Sequence, residues 1–126
     1  MRLEPLREDL TIHQGATWQP YWVVRDENGD PVDLLTWDAR AQFWRDFGDD
    51  TPELDLSVSG GEIVLDADGV VALNVPATKT ESMTHTTRDD MPHRYDIELI
   101  EPGGEPVHKA VWGYATVIRE ATIDYE

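Results

Sequence analysis

The sequence predicts an all-β fold, an antiparallel β-sandwich of about seven or eight strands with one short helix after Pro76. Three observations carry this. Several short runs alternate apolar and polar residues with a period of two, the spacing of a strand with one face in a core. Turn residues punctuate those runs about every 8–12 residues, the rhythm of a sandwich. No stretch repeats at the roughly 20–50 residues of a solenoid or propeller, and none is low in complexity.

Residues 1–9 are polar and read as an N-terminal arm that orders on a neighbour. Leu10-Thr11-Ile12 then opens the sandwich as a short strand. The Gln14-Gly15 kink separates it from the stretch around which the chain is organised, an aromatic strand over 17–25. There Trp18, Trp22 and Val24 share one parity, and Tyr21, Val23 and Arg25 the other. Asn28-Gly29 is a hairpin-turn signal, because both residues tolerate positive φ. Pro31 lacks an N–H and suits the exit of that turn. Residues 32–37 form a short connection with apolar anchors. Over 38–45, Ala39, Ala41 and Phe43 face one way and Arg40, Gln42 and Trp44 the other. Ala and Arg favour helix here, but the stretch is short and follows a hairpin, so strand is expected.

Residues 46–52 are a loop by composition. Leu54, Leu56 and Val58 then alternate inward before the Ser59-Gly60-Gly61 turn. Ile63-Val64-Leu65 is a short strand ended by the tight turn Asp66-Ala67-Asp68-Gly69. Val71, Leu73 and Val75 mark the inward side of the next strand, which runs to Pro76. Residues 77–83 are the helix, with Thr78 as cap and Glu81 completing a capping box. After a polar loop over 84–92, residues 94–100 place Tyr95, Ile97 and Leu99 inward. Pro102-Gly103-Gly104 makes a hairpin loop, and 107–118 is the longest strand, with Gly113 read as a bulge. The sandwich thus spans 10–120, and 121–126 form a C-terminal tail.

Composition narrows the function. At 126 residues the chain is long enough for one core without covalent staples. A hydrophobic fraction of 40% and five Trp residues argue against disorder. The absence of Cys removes disulfides, zinc-thiolate sites and cysteine nucleophiles. The N-terminus lacks the apolar region of a signal peptide, and no run approaches the roughly 20 apolar residues of a membrane span. Ten basic against 26 acidic residues give a net charge of −16. Residues 1–63 carry five basic and 14 acidic side chains and 64–126 carry five and 12, so the charge is spread. Such a surface repels phosphate backbones, and direct nucleic-acid binding is not expected.

No constellation of residues points to chemistry. The turns Asp26-Glu27-Asn28-Gly29-Asp30 and Asp66-Ala67-Asp68-Gly69 gather oxygens, but neither continues as a calcium loop, and turn preference explains both. His85, Asp89, Asp90 and His93 fall in one polar region at spacings too loose for a zinc set, and read as a surface loop. His13 and His108 have no companions. Carboxylate pairs are too numerous to single out a glycosidase pair, and no Gly-x-Ser-x-Gly, P-loop or Gly-x-Gly-x-x-Gly appears. We therefore expect no enzyme, no catalytic residue, no metal and no cofactor. The Trp residues are different. Two or three would fill the core, but Trp44 and Trp112 share faces with Arg40, Gln42, His108 and Tyr114. Aromatics beside polar groups mark a protein interface or a sugar platform. The candidate interaction surface is Arg40, Trp44, Trp112 and Tyr114.

The order of features has a further meaning. Gln14-Gly15-Ala16-Thr17-Trp18, the turn over 26–34 and Ala39-Arg40-Ala41-Gln42 are followed by Leu65-Asp66-Ala67-Asp68-Gly69-Val70 and Val75-Pro76-Ala77-Thr78. Tyr95-Asp96-Ile97-Glu98-Leu99 and the closing Trp112-Gly113 strand complete it. Over nearly the whole chain this resembles small β-sandwich proteins of tailed bacteriophages, similar to the N-terminal domain of upper-baseplate proteins. The resemblance implies an immunoglobulin-like sandwich that serves as a tail, baseplate or neck adaptor. It also implies several copies on a virion assembled in the host cytoplasm, docked on other virion proteins and without catalytic residues. Baseplate members often continue into a coiled-coil linker, whereas this sequence stops at Glu126, a length that suits a capsid decoration protein as well. Two rivals stand beside it. One is a carbohydrate-binding module using Trp44, Trp112 and Tyr114. The other is an acidic mimic of nucleic acid, which would need its carboxylates in a row; here they are interspersed with inward apolar positions.

Overall fold

Two sheets face each other across an apolar core in the computed structural model, which describes residues 3–46 and 48–120. In chain order the strands are β1 (Leu6–Arg7), β2 (Leu10–His13), β3 (Tyr21–Val23), β4 (Asp38–Trp44), β5 (Leu54–Ser57), β6 (Ile63–Leu65), β7 (Val70–Leu73), β8 (His93–Ile100) and β9 (Val107–Ile118). The helix α1 (Ala77–Glu81) lies between β7 and β8. The larger sheet is ordered β1-β9-β8-β4-β5, with β2 also paired to β9, and the smaller is β3-β7-β6. All pairings are antiparallel except those of β1 and β2, which run parallel to β9. The two sheets make an all-β sandwich with nine strands among the described residues, where about seven or eight are expected, because the N-terminal segment adds β1 and β2 beside β9. The expected fold class holds.

Alternation builds the core. Ala39, Ala41 and Phe43 of β4, Leu54 and Leu56 of β5, and Tyr95, Ile97 and Leu99 of β8 point inward from the larger sheet. Ile63, Val71, Leu73 and Val75 meet them from the smaller one, and Ile12 of β2 joins them. Phe43 has no exposed surface; it stacks on Tyr95 at 5.1 Å and meets the edge of Trp18 at 5.7 Å. Each buried Val, Leu, Ile or Phe side chain among them stabilises the fold by about 1.5–3 kcal/mol on burial.

The aromatic strand is shorter than its pattern predicts. Pro20 donates no hydrogen bond, so β3 keeps three residues, while Trp18 and Arg25 make isolated bridges to Val75 and Pro31. The parity survives, with Trp22 buried and Tyr21 and Val23 outward. At the following turn only Gly29 takes a positive φ (+82°); Asn28 does not. The Asp26 carboxylate closes the turn instead, accepting from the Asn28 N–H at 2.9 Å and the Asp30 N–H at 3.1 Å.

Two expectations fail locally. The capping box does not form, because Pro76 occupies the N-cap with no side-chain bond and Thr78 falls inside the helix. Pro76 presets an extended entry (φ −66°, ψ 154°), and α1 is held instead by buried Thr80, whose hydroxyl donates to the Ala16 carbonyl at 2.8 Å. The bulge in β9 is also elsewhere. Ile97 pairs with Val111 and Glu98 with Lys109, so the extra residue is Ala110, while Gly113 pairs regularly with Tyr95. Gly113 answers a different need. A Cβ there would overlap the Glu8 carbonyl oxygen where the chain crosses from β1 to β2.

That crossing ties down the segment read as a polar arm. Leu3 is buried in the core, and Leu6 and Arg7 pair with Val111 and Trp112 of the chain's own β9. The Tyr95 hydroxyl donates to the Glu8 carbonyl, and Trp22 Nε1 donates to the Glu8 carboxylate. Residues 1–2 and the tail over 121–126 lie outside the described residues. No helix among the described residues is long and apolar enough to cross a membrane.

Candidate interaction surface

The outward face of the larger sheet carries the candidate surface, and register decides what meets on it. Across neighbouring strands, Arg7 of β1 pairs with Trp112 of β9, Trp112 with Asp96 of β8, and Asp96 with Gln42 of β4. One step along, Tyr114 pairs with Arg94 and Arg94 with Trp44. The Arg7 guanidinium lies 5.4 Å from the Trp112 ring centre and 5.7 Å from that of Tyr114, and Arg94 lies 5.5 Å from Tyr114. Trp112, Arg7, Tyr114, Arg94 and Trp44 thus form a strip in which aromatic and cationic groups alternate. Each contact of this kind is worth about 0.5–1 kcal/mol near a surface.

The three aromatic residues expected at the surface therefore share one face. They are half-buried, covering the sheet with their rings. Arg40 stands apart, on the far side of Gln42 along β4. Its guanidinium lies 3.8 Å from Asp55, and the Gln42 amide oxygen accepts from Arg40 Nη2 at 2.7 Å when the amide is oriented to receive it. Lys109 pairs with Asp96 at 3.4 Å and Arg7 with Asp9 at 3.5 Å. Four of the ten cations of this acidic chain, Arg7, Arg40, Arg94 and Lys109, thus serve one face. Beyond the strip, Trp44, Arg94 and Tyr114 border an open cleft of about 540 Å³ that also meets Asp89 and Asp90.

His108 is not on this face. Simple parity groups it with Trp112 and Tyr114, but the extra residue at Ala110 reverses the alternation. His108 instead pairs with inward Leu99, stacks on Trp37 at 5.7 Å and meets Glu101 at 2.9 Å, so it does have companions.

The loop histidines also separate. His93 opens β8 on the same parity as Tyr95 and Ile97 and is 2% exposed, a correction to the surface-loop reading. Its Nε2 lies 2.9 Å from Glu53 Oε1, and the Glu53 carboxylate also receives the Thr84 N–H and, at 2.8 Å, the Thr84 hydroxyl. Burial pushes the Glu53 carboxyl up, but the Thr84 bonds and the His93 ring outweigh it and hold it below the ordinary carboxylate value. Asp90 accepts from the Thr87 hydroxyl at 2.6 Å within its own loop. Asp66 closes its turn through bonds from the N–H groups of Asp68 and Val70. Among the described residues, no group of three or more His, Asp or Glu side chains is arranged to hold a metal ion.

Sequence reasoning missed Arg7, Arg94 and the Glu53–His93–Thr84 cluster. Parity exposes two of them: Arg94 alternates outward with Asp96 and Glu98, and His93 inward with Tyr95. Nothing in the sequence brings Arg7 to Trp112, more than a hundred residues away. The Tyr95 phenol is a further consequence of the fold: burial, with the Glu8 and Asp9 charges, keeps it protonated far above its usual range. Compared with known proteins, the chain matches no family model, and no curated sequence matches it.

Proposed function

We propose that this chain is a non-enzymatic structural module of a tailed-bacteriophage virion, an adaptor of tail, baseplate or neck that docks on other virion proteins. The observation that carries this is the Trp112–Arg7–Tyr114–Arg94–Trp44 strip. Aromatic residues and Arg are enriched in protein interfaces, and here they are concentrated on one flat face of a chain that is acidic overall. The rings are held by their neighbours before any partner arrives, so little side-chain freedom is lost on docking. An acidic surface discourages direct contact with packaged nucleic acid, which suits a protein partner. Electron microscopy of purified particles labelled with an antibody to this chain tests the reading. Label at one tail end supports an adaptor, and label at regular capsid positions makes the chain a decoration protein. Absence from every particle overturns the virion role.

A second reading rests on the cleft beside the strip. Trp44 and Tyr114 offer ring faces, and Asp89, Asp90 and Arg94 offer hydrogen-bonding groups, the combination that grips a sugar. Glycan-array binding that is lost in Trp44→Ala would favour this carbohydrate-binding reading.

A further inference from the structure

The chain has two asparagines, Asn28 and Asn74, and the fold sets them in different surroundings. Asn28 is exposed in the turn over 26–30 that follows β3, and its side-chain amide makes no hydrogen bond among the described residues. The next residue is Gly29, held at φ +82°, and a Cβ placed there would meet nothing within 4 Å. The backbone alone is held: the Asn28 N–H donates to the Asp26 carboxylate at 2.9 Å, and the Gly29 N–H to the Asp26 carbonyl at 3.0 Å. Arg25 Nη1 donates to the Gly29 carbonyl at 3.1 Å. Asn74 is also exposed but differs in every other respect. Its Oδ1 accepts from Gln19 Nε2 at 3.1 Å. The residue after it is buried, β-branched Val75, whose N–H donates to the Trp18 carbonyl at 2.9 Å.

We propose that Asn28 is a self-modification site, at which the folded chain converts its own asparagine to aspartate and isoaspartate. The Gly29 backbone nitrogen gives up its proton to water or hydroxide and attacks the side-chain carbonyl carbon of Asn28. A C–N bond forms, the side-chain nitrogen takes up a proton and leaves as ammonia, and a five-membered succinimide remains. Water then adds to either ring carbonyl and opens the ring. One opening gives ordinary aspartate, and the other gives isoaspartate, with the main chain routed through the side-chain carbon. The net change consumes water and releases ammonia, with no oxidant, cofactor or second protein. Nucleophile and electrophile are joined in one chain, which removes the entropic cost of bringing them together. Glycine gives the nitrogen conformational freedom and no side chain to crowd it. One hydrogen bond must open, that of the Gly29 N–H, and it lies in an exposed turn where local opening is easy. The product adds a carboxylate beside Asp26, Glu27 and Asp30. In isoaspartate the main chain is also one methylene longer, which displaces the Asp30 N–H from the Asp26 carboxylate and loosens the Arg25–Pro31 bridge. This chemistry stands whether or not the docking role of the Arg7–Trp44 strip holds.

Tryptic mapping of the native chain after prolonged incubation between about pH 6 and about pH 9 tests this. Arg25 and Arg40 bracket Asn28, whereas Arg45 and Lys79 bracket Asn74, so the two sites fall in separate peptides. Mass spectrometry should show the 26–40 peptide replaced by two species of equal mass, aspartyl and isoaspartyl, each with NH exchanged for O. Asn28 should convert at least about tenfold faster than Asn74, and within about tenfold of its own rate in the urea-unfolded chain. Conversion should rise several-fold across the pH range, because the attacking nitrogen must lose its proton. Asn28→Gln, whose carbonyl carbon lies one methylene further out, should leave that peptide unchanged. Equal conversion of Asn28 and Asn74, an intact Asn28 in native chain when the unfolded chain converts, a rate indifferent to pH, or the same mass gain in Asn28→Gln would each overturn the proposal.

Discussion

Glu53 shows how much one side chain can hold. It stands just before β5, yet it receives Thr84 from the segment after α1 and His93 from the start of β8. Replacing it by Gln keeps the shape but loses the charge-assisted bonds, and should cost about 1–3 kcal/mol near pH 7 in denaturant unfolding. The sign of the pH effect follows from the lowered carboxyl. Its stabilisation is complete above the unfolded value of about 4.3 and is lost as pH falls through the folded value. Wild type should therefore lose more stability than Glu53→Gln between about pH 5 and about pH 3; parallel curves would remove Glu53 from the account. Phe43 is the apolar counterpart. With no exposed surface and rings on two sides, Phe43→Ala should cost about 3–5 kcal/mol, read as a lower denaturant midpoint at unchanged slope.

At the scale of the element, β9 organises the larger sheet. It pairs with β8 on one side and with β1 and β2 on the other, and the bulge at Ala110 sets which of its residues face out. Gly113 lets the Glu8 crossing lie against the strand, with the Tyr95 hydroxyl bonded to the Glu8 carbonyl. A side chain at this position must push that backbone away. Gly113→Val should cost about 1–3 kcal/mol and loosen β1 and β2 first. Hydrogen exchange checks this: protection over Leu10–His13 should fall well before that of β4 and β8, and uniform loss across the sheet would contradict it.

For the whole molecule, electrostatics and surface chemistry separate. A spread charge of −16 destabilises the compact state by self-repulsion, and salt should relieve it. The melting temperature should rise by about 2–5 °C between low ionic strength and about 0.15 M salt; a fall would mean that the surface ion pairs outweigh the general repulsion. The strip on the larger sheet is expected to matter more for docking than for folding. Arg94→Ala removes one cation–π contact and should change stability by no more than about 1 kcal/mol. On the proposed virion role, incorporation into particles should nevertheless drop several-fold, measured as the ratio of this chain to the major particle proteins. Unchanged incorporation would move the docking surface elsewhere.

What the sequence determined by itself is what short-range rules govern. Period-two alternation marked β4 to β9, and the turns at 26–30, 59–61, 66–69 and 102–104 fell where Gly, Asp and Asn permit tight bends. Trp44, Trp112 and Tyr114 were legible as one outward set because each lies on the polar parity of its strand. The tertiary structure alone decided what depends on register between distant strands. It brought Arg7 between Trp112 and Tyr114, moved His108 off their face through one extra residue, and folded the N-terminal segment onto β9. The physical reason is that alternation assigns a side chain to a face of its own strand, whereas the register between strands sets its neighbours, and a single bulge reverses the assignment beyond it.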